Sequence, residues 1–255
     1  LVDKYWNDKN ITFWDTTNIK NMKSVFHHVY YFNTLLLWNV SNVTNMENMF
    51  YECNKFNQPL ENWIVKKVEN MKSMFYECEK FNQPLEKWNV SNVNNMSYMF
   101  MGCVVFNQPL NNWNVSNVIN MSFMFDYCKS FNQPLNSWDV SNVNNMFSMF
   151  ENCKNFNQPL ENWIVKKVEN MESMFRECEQ FNQPLNDWDV SNVNNMSSMF
   201  NDCKSFNQPL NNWNVSNVED MSHMFFGCVK LNQTLEKWNT RKLLKINICE
   251  LWDNI

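Results

Sequence analysis

Eight cysteines recur every 25 residues from Cys53 to Cys228, and Cys249 makes a ninth. A thiol ladder of this kind has three chemical readings: a metal scaffold, a disulfide framework, or a row of small apolar core residues. Structural zinc sites want clustered C-x-x-C pairs, which are absent. Each Cys closes an apolar series, as in Val118, Met121, Met124, Phe125 and Cys128, which places it in the core. If that series is helical, neighbouring units stand about 8–10 Å apart. Facing thiols then exceed the Cα separation of about 7 Å that a disulfide tolerates. Free, buried thiols are the expectation.

Other groups that could do chemistry are sparse. His27, His28 and His223 are the three histidines, and the sequence names no partner for any of them. Paired catalytic carboxylates would interrupt the repeat at one place, yet Asp and Glu are scattered. A tryptophan ladder could stack on sugars, but each Trp shares its alternation with an apolar Val two residues on, which reads as core. No catalytic, cofactor-binding or metal-binding residue is assigned, no cofactor is expected, and the chain is read as a non-enzyme.

The elements that position these residues follow from one period. Trp38, Trp63, Trp88, Trp113, Trp138, Trp163, Trp188, Trp213 and Trp238 recur at intervals of 25. Seven units share F-N-Q-P-L-x-x-W, and each continues W-x-V-x-x-V-x-x-M-x-x-M-F-x-x-C. Alternation at Trp113-Asn114-Val115 predicts a short strand. The series from Val118 to Cys128 predicts a short amphipathic helix, capped by Ser116 or Asn117. F-N-Q-P-L turns the chain back, with Pro134 blocking helical continuation. No unit buries its own apolar face, so units must stack. The predicted fold is an α/β repeat solenoid with one short parallel β-strand and one short helix per 25-residue coil. Strands about 4.8 Å apart against helices 8–10 Å apart would curve it with Trp-x-Val on the concave side.

One domain is expected, with an N-terminal cap and degenerate coil at 1–37, tandem repeats at 38–238 and a C-terminal cap at 239–255. Trp14, Ile19, Met22 and Phe26 mark the degenerate coil, and Leu244, Ile248, Leu251 and Trp252 the closing amphipathic segment. The regular Asn of F-N-Q-P, from Asn57 to Asn232, is read as a structural ladder along the turns. N-x-S/T triplets such as Asn39-Val40-Ser41 are by-products of the motif. The net charge of −5 lacks the basic footprint of a nucleic-acid binder. No stretch approaches the 18 or so apolar residues of a membrane span, and Leu1 to Trp6 contains no signal-peptide h-region. The 49 Asn partly match the codon usage of an AT-rich genome.

The run F-N-Q-P-L-N-N-W-N-V-S-N-V-x-N-M-S-x-M-F-x-x-C resembles the 25–26-residue repeat of BspA-like leucine-rich-repeat surface proteins, including the lipoprotein-associated bacterial surface repeat. The match covers about residues 11–240. It implies a leucine-rich-repeat-like solenoid used at cell or particle surfaces for adhesion or protein interaction, and it brings no catalytic residues. Two departures stand out. The Gly often found before Cys survives only as Gly102 and Gly227, and Met occupies the small-residue slot before Phe.

Function in a solenoid lies where its coils differ. The outward positions flanking Trp and Val are Asn89, Asn114, Asp139, Asp189 and Asn214 in most coils. In two coils they become Ile64, Lys66, Lys67 and Ile164, Lys166, Lys167. Residues 61–71 recur at 161–171, a four-coil offset, which points to block duplication. These residues are the candidate interaction surface. The partner expected is a protein or cell-surface macromolecule bound by the concave strand face, and the alternative is a self-associating structural spacer without a specific ligand.

Overall fold

The computed structural model describes residues 10–244. Successive 25-residue coils stack in register, and eight parallel bridges join equivalent residues, from Asn21 with Asn45 to Asn195 with Asp220. Among the described residues the one helix is a 3-10 turn at Ile11–Phe13. The solenoid expectation therefore holds in its coarse form, and the helix in each coil is corrected. Residues 1–9 and 245–255 of the expected caps, with Ile248, Cys249, Leu251 and Trp252, lie outside the described residues.

The segment read as a helix is instead a run of overlapping turns that carries the ladder between coils. In one coil Met124, Asp126 and Cys128 donate backwards to the carbonyls of Met121, Phe123 and Phe125. The intervening N–H groups of Met121, Phe123, Phe125 and Tyr127 donate forwards, to Asn145, Phe147, Met149 and Glu151 of the next coil. A helix would close these bonds within one coil. Here half of them tie coil to coil, so the coils approach at strand spacing rather than helix spacing.

This path needs two left-handed residues per coil. Phe123 at φ 57° and Tyr127 at φ 59° are one pair, and Gly102 at φ 74° and Gly227 at φ 73° fill the second slot in their coils. Among the described residues sixteen non-glycine residues hold this conformation, which disfavours an L side chain. Each of them from Ser24 to Asp202 donates its N–H to the next coil, so the stack holds the backbone where it is. The glycine slot is also crowded: a Cβ on Gly102 would lie 2.9 Å from Glu77 Cγ and 3.2 Å from Glu77 Cα.

Stacked rings measure the step between coils at different depths. Tyr51 and Tyr76, outside the ladder, are 4.3 Å apart and parallel within 1°. Phe75 and Phe100 just inside are 5.7 Å apart, Phe106 and Phe131 6.1 Å, and Trp113 and Trp138 6.5 Å. The smaller step lies nearer the axis about which the coils turn. The ladder face is therefore concave and the Trp row lies on the wider side, which reverses the expected curvature. The expectation failed because it placed the strand ladder on Trp-x-Val, where the backbone makes turns such as Val93 N–H to Val90 C=O.

The core is the invariant half of the repeat. In the full coils Trp, both Val, both Met, both Phe, Leu and Cys are buried, as Trp113, Val115, Val118, Met121, Met124, Phe125, Cys128, Phe131 and Leu135 illustrate. Each Trp from Trp88 to Trp238 donates its indole N–H to the carbonyl of the Leu 28 residues earlier, at 2.8–3.1 Å. The Asn ladder runs alongside: Asn107 Oδ1 accepts the Asn132 N–H at 3.0 Å and Gln133 Nε2 at 3.1 Å, and Asn132 repeats this for the next coil.

Replacing Asn107 with Ala strands the half-buried Asn132 N–H and leaves Gln133 Nε2 the Asn107 carbonyl alone, at a cost of about 1–3 kcal/mol. The exposed, terminal Asn232→Ala should change stability by less than about 0.5 kcal/mol. Urea midpoints of the two variants provide the comparison, and equal midpoints would refute a structural Asn ladder.

Candidate functional site

The cysteine row is inert. Cys53 to Cys228 are free and buried. The distance argument against disulfides does not survive the closer stacking of the coils; what occupies the thiols is hydrogen bonding. Each Sγ donates to the carbonyl of a Phe in the preceding coil, as from Cys103 to Phe75 at 3.0 Å and Cys203 to Phe175 at 2.8 Å. Burial raises every one of these thiol pKa values, that of Cys228 to about 12, so they stay protonated at neutral pH. Among the described residues no group of three or more His, Cys, Asp or Glu is placed to hold a metal ion. Nor is any helix long and apolar enough to cross a membrane.

The structure divides the sequence-chosen surface residues into two kinds. Asn89, Asn114, Asp139, Asp189 and Asn214 are exposed, but each turns its Oδ1 onto the backbone N–H two residues on, at 3.1–3.2 Å. These local turns are what the polar residue after Trp provides. Hydrogen bonds from Ser141 and Ser191 lower the pKa of Asp139 and Asp189. The other kind is the Ile-Lys-Lys coils. Ile64 is 65% and Ile164 63% exposed. Lys67 and Lys167 reach back to Asn42 and Asn142 Oδ1 at 2.7 and 2.6 Å. Lys66 and Lys166 project outwards, and Lys166 approaches Asp189 at 3.6 Å. With a step of 6.3–6.5 Å along the Trp row, the two patches, four coils apart, are separated by about 25 Å.

Beside the second patch, at Lys167, runs a groove of about 780 Å³. One wall carries Asn142, Lys167 and Asn192, and the other Ile119, Asn144 and Glu169.

The concave ladder face was missed by sequence reasoning because its positions were read as the exterior of a helix. Its signal was the coil-to-coil difference at M-x-x-M-F-x-x-C. The N-terminal part is aromatic: His27 stacks on Tyr51 at 4.7 Å, Tyr51 on Tyr76, and Tyr98 on Phe123 at 4.6 Å. His28 Nδ1 lies 2.9 Å from Glu52 Oε2. Further along, the row of Tyr51 and Tyr76 carries Glu151 and Arg176, and a neighbouring row carries Lys154, Glu179 and Lys204. Arg176 bonds Glu151 at 3.2 Å, while Lys154 and Lys204 flank Glu179 at 2.9 and 3.2 Å. Between the two parts sits Asp126, 2% exposed, with no hydrogen-bond partner on Oδ1. Burial raises its carboxyl pKa to about 8, with the Glu151 charge adding to the shift.

A family model matches residues 2–103, 85–178 and 158–249, together nearly the whole chain, and is described as "Mycoplasma protein of unknown function, DUF285". The chain belongs to this family. The DUF285 repeat thus has the stacked-coil structure described above. Among curated proteins none matches. Solved structures similar to this DUF285 chain include a leucine-rich-repeat protein of T. pallidum, 16% identical, with a TM-score of 0.46, covering 71% of this chain and 79% of that one. A leucine-rich-repeat protein of Bacteroides ovatus is 14% identical, with a TM-score of 0.34 over 85% of this chain and 70% of that one. A leucine-rich cell surface protein of Faecalibacterium prausnitzii is 11% identical, with a TM-score of 0.27 over 84% and 82%.

Asp126 gives this surface a pH signature. Its folded pKa lies above the unfolded value of about 3.9, so the folded chain holds the extra proton and loses stability as pH rises from about 4 to about 8. Asp126→Asn removes that loss: the variant should match wild type near pH 4 and exceed it at pH 8 in urea midpoint. Equal midpoints at both pH values would contradict a buried neutral carboxyl.

Proposed function

We propose that this DUF285 chain is a non-enzymatic module that binds other proteins through the side chains by which its coils differ. The observation that carries this reading is the separation of constant from variable residues. Trp, Met, Phe, Cys and the F-N-Q-P amides are consumed by stacking and backbone capping, which leaves no constant position for chemistry. The outward residues of the ladder face differ from coil to coil, Tyr51 and Tyr76 against Glu151 and Arg176, as a surface shaped for a particular partner does. The resemblance to BspA-like repeats supports a cell-surface setting and an adhesive role.

Two surfaces are available for binding, the concave aromatic rows around Tyr51 and Tyr76 and the Ile-Lys-Lys patches. The test is quantitative affinity capture from host-cell surface extract with wild type, Tyr51→Ser/Tyr76→Ser, and a charge reversal at Lys66, Lys67, Lys166 and Lys167. A specific partner recovered at least tenfold less by one of the variants is the expected result. Equal recovery of every protein by all three chains would reject the proposal. If no such partner appears and sedimentation instead shows concentration-dependent homo-assembly, the chain is a self-associating spacer.

A further inference from the structure

Among the described residues three buried side-chain atoms have no hydrogen-bond partner: Asp126 Oδ1, Ser148 Oγ and Arg176 Nε. All three lie in three successive coils near the middle of the ladder. Asp126, Glu151 and Arg176 stand in one row of the concave face, each one ladder step from the next. Arg176 bonds Glu151, while among the described residues no ion pair reaches the buried Asp126. The rings mark the same junction. Tyr98 lies flat on Phe123, within 14°, whereas Phe147 meets Phe123 edge-on at 69°. The backbone ladder is complete there: Met121, Phe123, Phe125 and Tyr127 donate to Asn145, Phe147, Met149 and Glu151 at 2.8–3.1 Å. Side chains, and not backbone, set this junction apart.

We infer that the junction between the coils of Asp126 and Glu151 is a proton-controlled hinge, closed while Asp126 is protonated and opening locally when Asp126 loses its proton. The groups that face Asp126 are Tyr98 of the preceding coil, Glu151 of the next, Arg176 and Glu177 of the one beyond, and the thiols of Cys128, Cys153 and Cys178 beneath. Arg176 is the one cation among them, and Glu151 occupies it at 3.2 Å. An ionised Asp126 therefore meets a like charge one ladder step away, out of contact with water, and the hydrogen bonds of a single junction must hold against that repulsion. Opening the junction hydrates the carboxylate and removes the strain. The direction follows from the two states. With the junction closed the carboxyl pKa is raised to about 8, and when hydrated it returns to about 3.9, so the closed form holds the extra proton. The opening constant then rises as pH climbs from about 4 to about 8 and levels off above, by about 50-fold between pH 6 and pH 8. Each coil of a solenoid is held only by its neighbours, so one weakened junction opens while the rest of the stack stays formed. This junction lies between the Tyr51–Tyr76 stack and the Arg176–Glu151 pair, and its opening uncouples the two parts of the concave face.

The hinge does not depend on what the concave face binds, so it stands or falls apart from the interaction reading. The experiment is amide hydrogen exchange on the full chain at pH 6 and pH 8, corrected for intrinsic rates, for wild type, Asp126→Asn and Glu151→Gln. At pH 8 the wild-type amides of Met121, Phe123, Phe125 and Tyr127 should be protected at least tenfold less than the corresponding amides of the flanking junctions, such as Phe100 and Phe150. At pH 6 the deficit should shrink to within about threefold. Asp126→Asn, which keeps the shape of the neutral carboxyl, should show no deficit at either pH. Glu151→Gln keeps Asp126 but removes the like charge and frees Arg176, so its deficit at pH 8 should be smaller than that of wild type. Protection at this junction equal to that of its neighbours at pH 8 would overturn the hinge, as would a deficit that persists in Asp126→Asn. A loss of protection spread evenly over all junctions would overturn it too, even where urea midpoints follow the titration of Asp126.

Discussion

The stack depends on hydrogen bonds that leave one coil and end on the next. In the segment from Met121 to Cys128, alternate N–H groups bond backwards within the coil and forwards to its neighbour. A backbone that does both must reverse its local handedness twice per coil, and Phe123 and Tyr127 do so although both are bulky. An isolated coil would have no partner for the forward bonds and would pay for the left-handed residues without return. Stability therefore belongs to neighbouring pairs of coils, the one-dimensional behaviour of a solenoid. Curvature has the same origin, because the ladder holds one side at strand spacing while stacked indoles hold the other near 6.4 Å.

Spacing the coils so closely crowds polar groups that the sequence must then satisfy. The carbonyl of Phe75 accepts the N–H of Cys78 in its own coil and the thiol of Cys103 in the next. The carbonyl of Leu110 accepts the N–H of Trp113 and the indole of Trp138 in the same manner. Cys and Trp are thus donors as well as core residues, which a Val or a Phe at those positions would not be. Asn does comparable work on the outside. Asn114 caps its own turn, Asn117 bonds the carbonyl of Ser91, Asn120 caps the start of the ladder and Asn107 bridges to Asn132. Four separate capping tasks per coil give the high Asn content a structural cause in addition to any bias in codon usage.

The stacking and the core, with the Cys row buried in it, were legible in the 25-residue period. The path of the backbone was not. An inward set at i, i+3, i+4 and i+7, here Met121, Met124, Phe125 and Cys128, is shared by a helix and by this run of turns, so periodicity alone cannot separate them. Two features of the sequence point away from a helix. The chain contains no alanine, the strongest helix former. Gly102 and Gly227 also stand in mid-segment, at the slot where the structure has a positive φ. Because the helix was expected there, its outward positions were set aside as generic exterior. The concave rows containing Tyr76, Tyr98 and Asp126 went unread for that reason, and attention settled on the polar residues after Trp, most of which serve their own turns.

With the ladder in its observed place, the two exposed surfaces of the chain show different histories. On the concave face equivalent residues of the duplicated blocks have diverged in size, charge and aromaticity, Tyr76 against Arg176 being one case. Along the flank, Ile-Val-Lys-Lys-Val-Glu stays unchanged across the same duplication, although the commoner Asn-Val-Ser-Asn-Val-Asn makes a complete set of local turns in other coils. Replacing Asn89 by its counterpart Ile64 forfeits such a turn and exposes an apolar side chain to water, so neither packing nor capping favours it. Stacking and solvation thus leave Ile64 and Ile164 without a structural role, and their recurrence at the same offset follows from the duplication of the block.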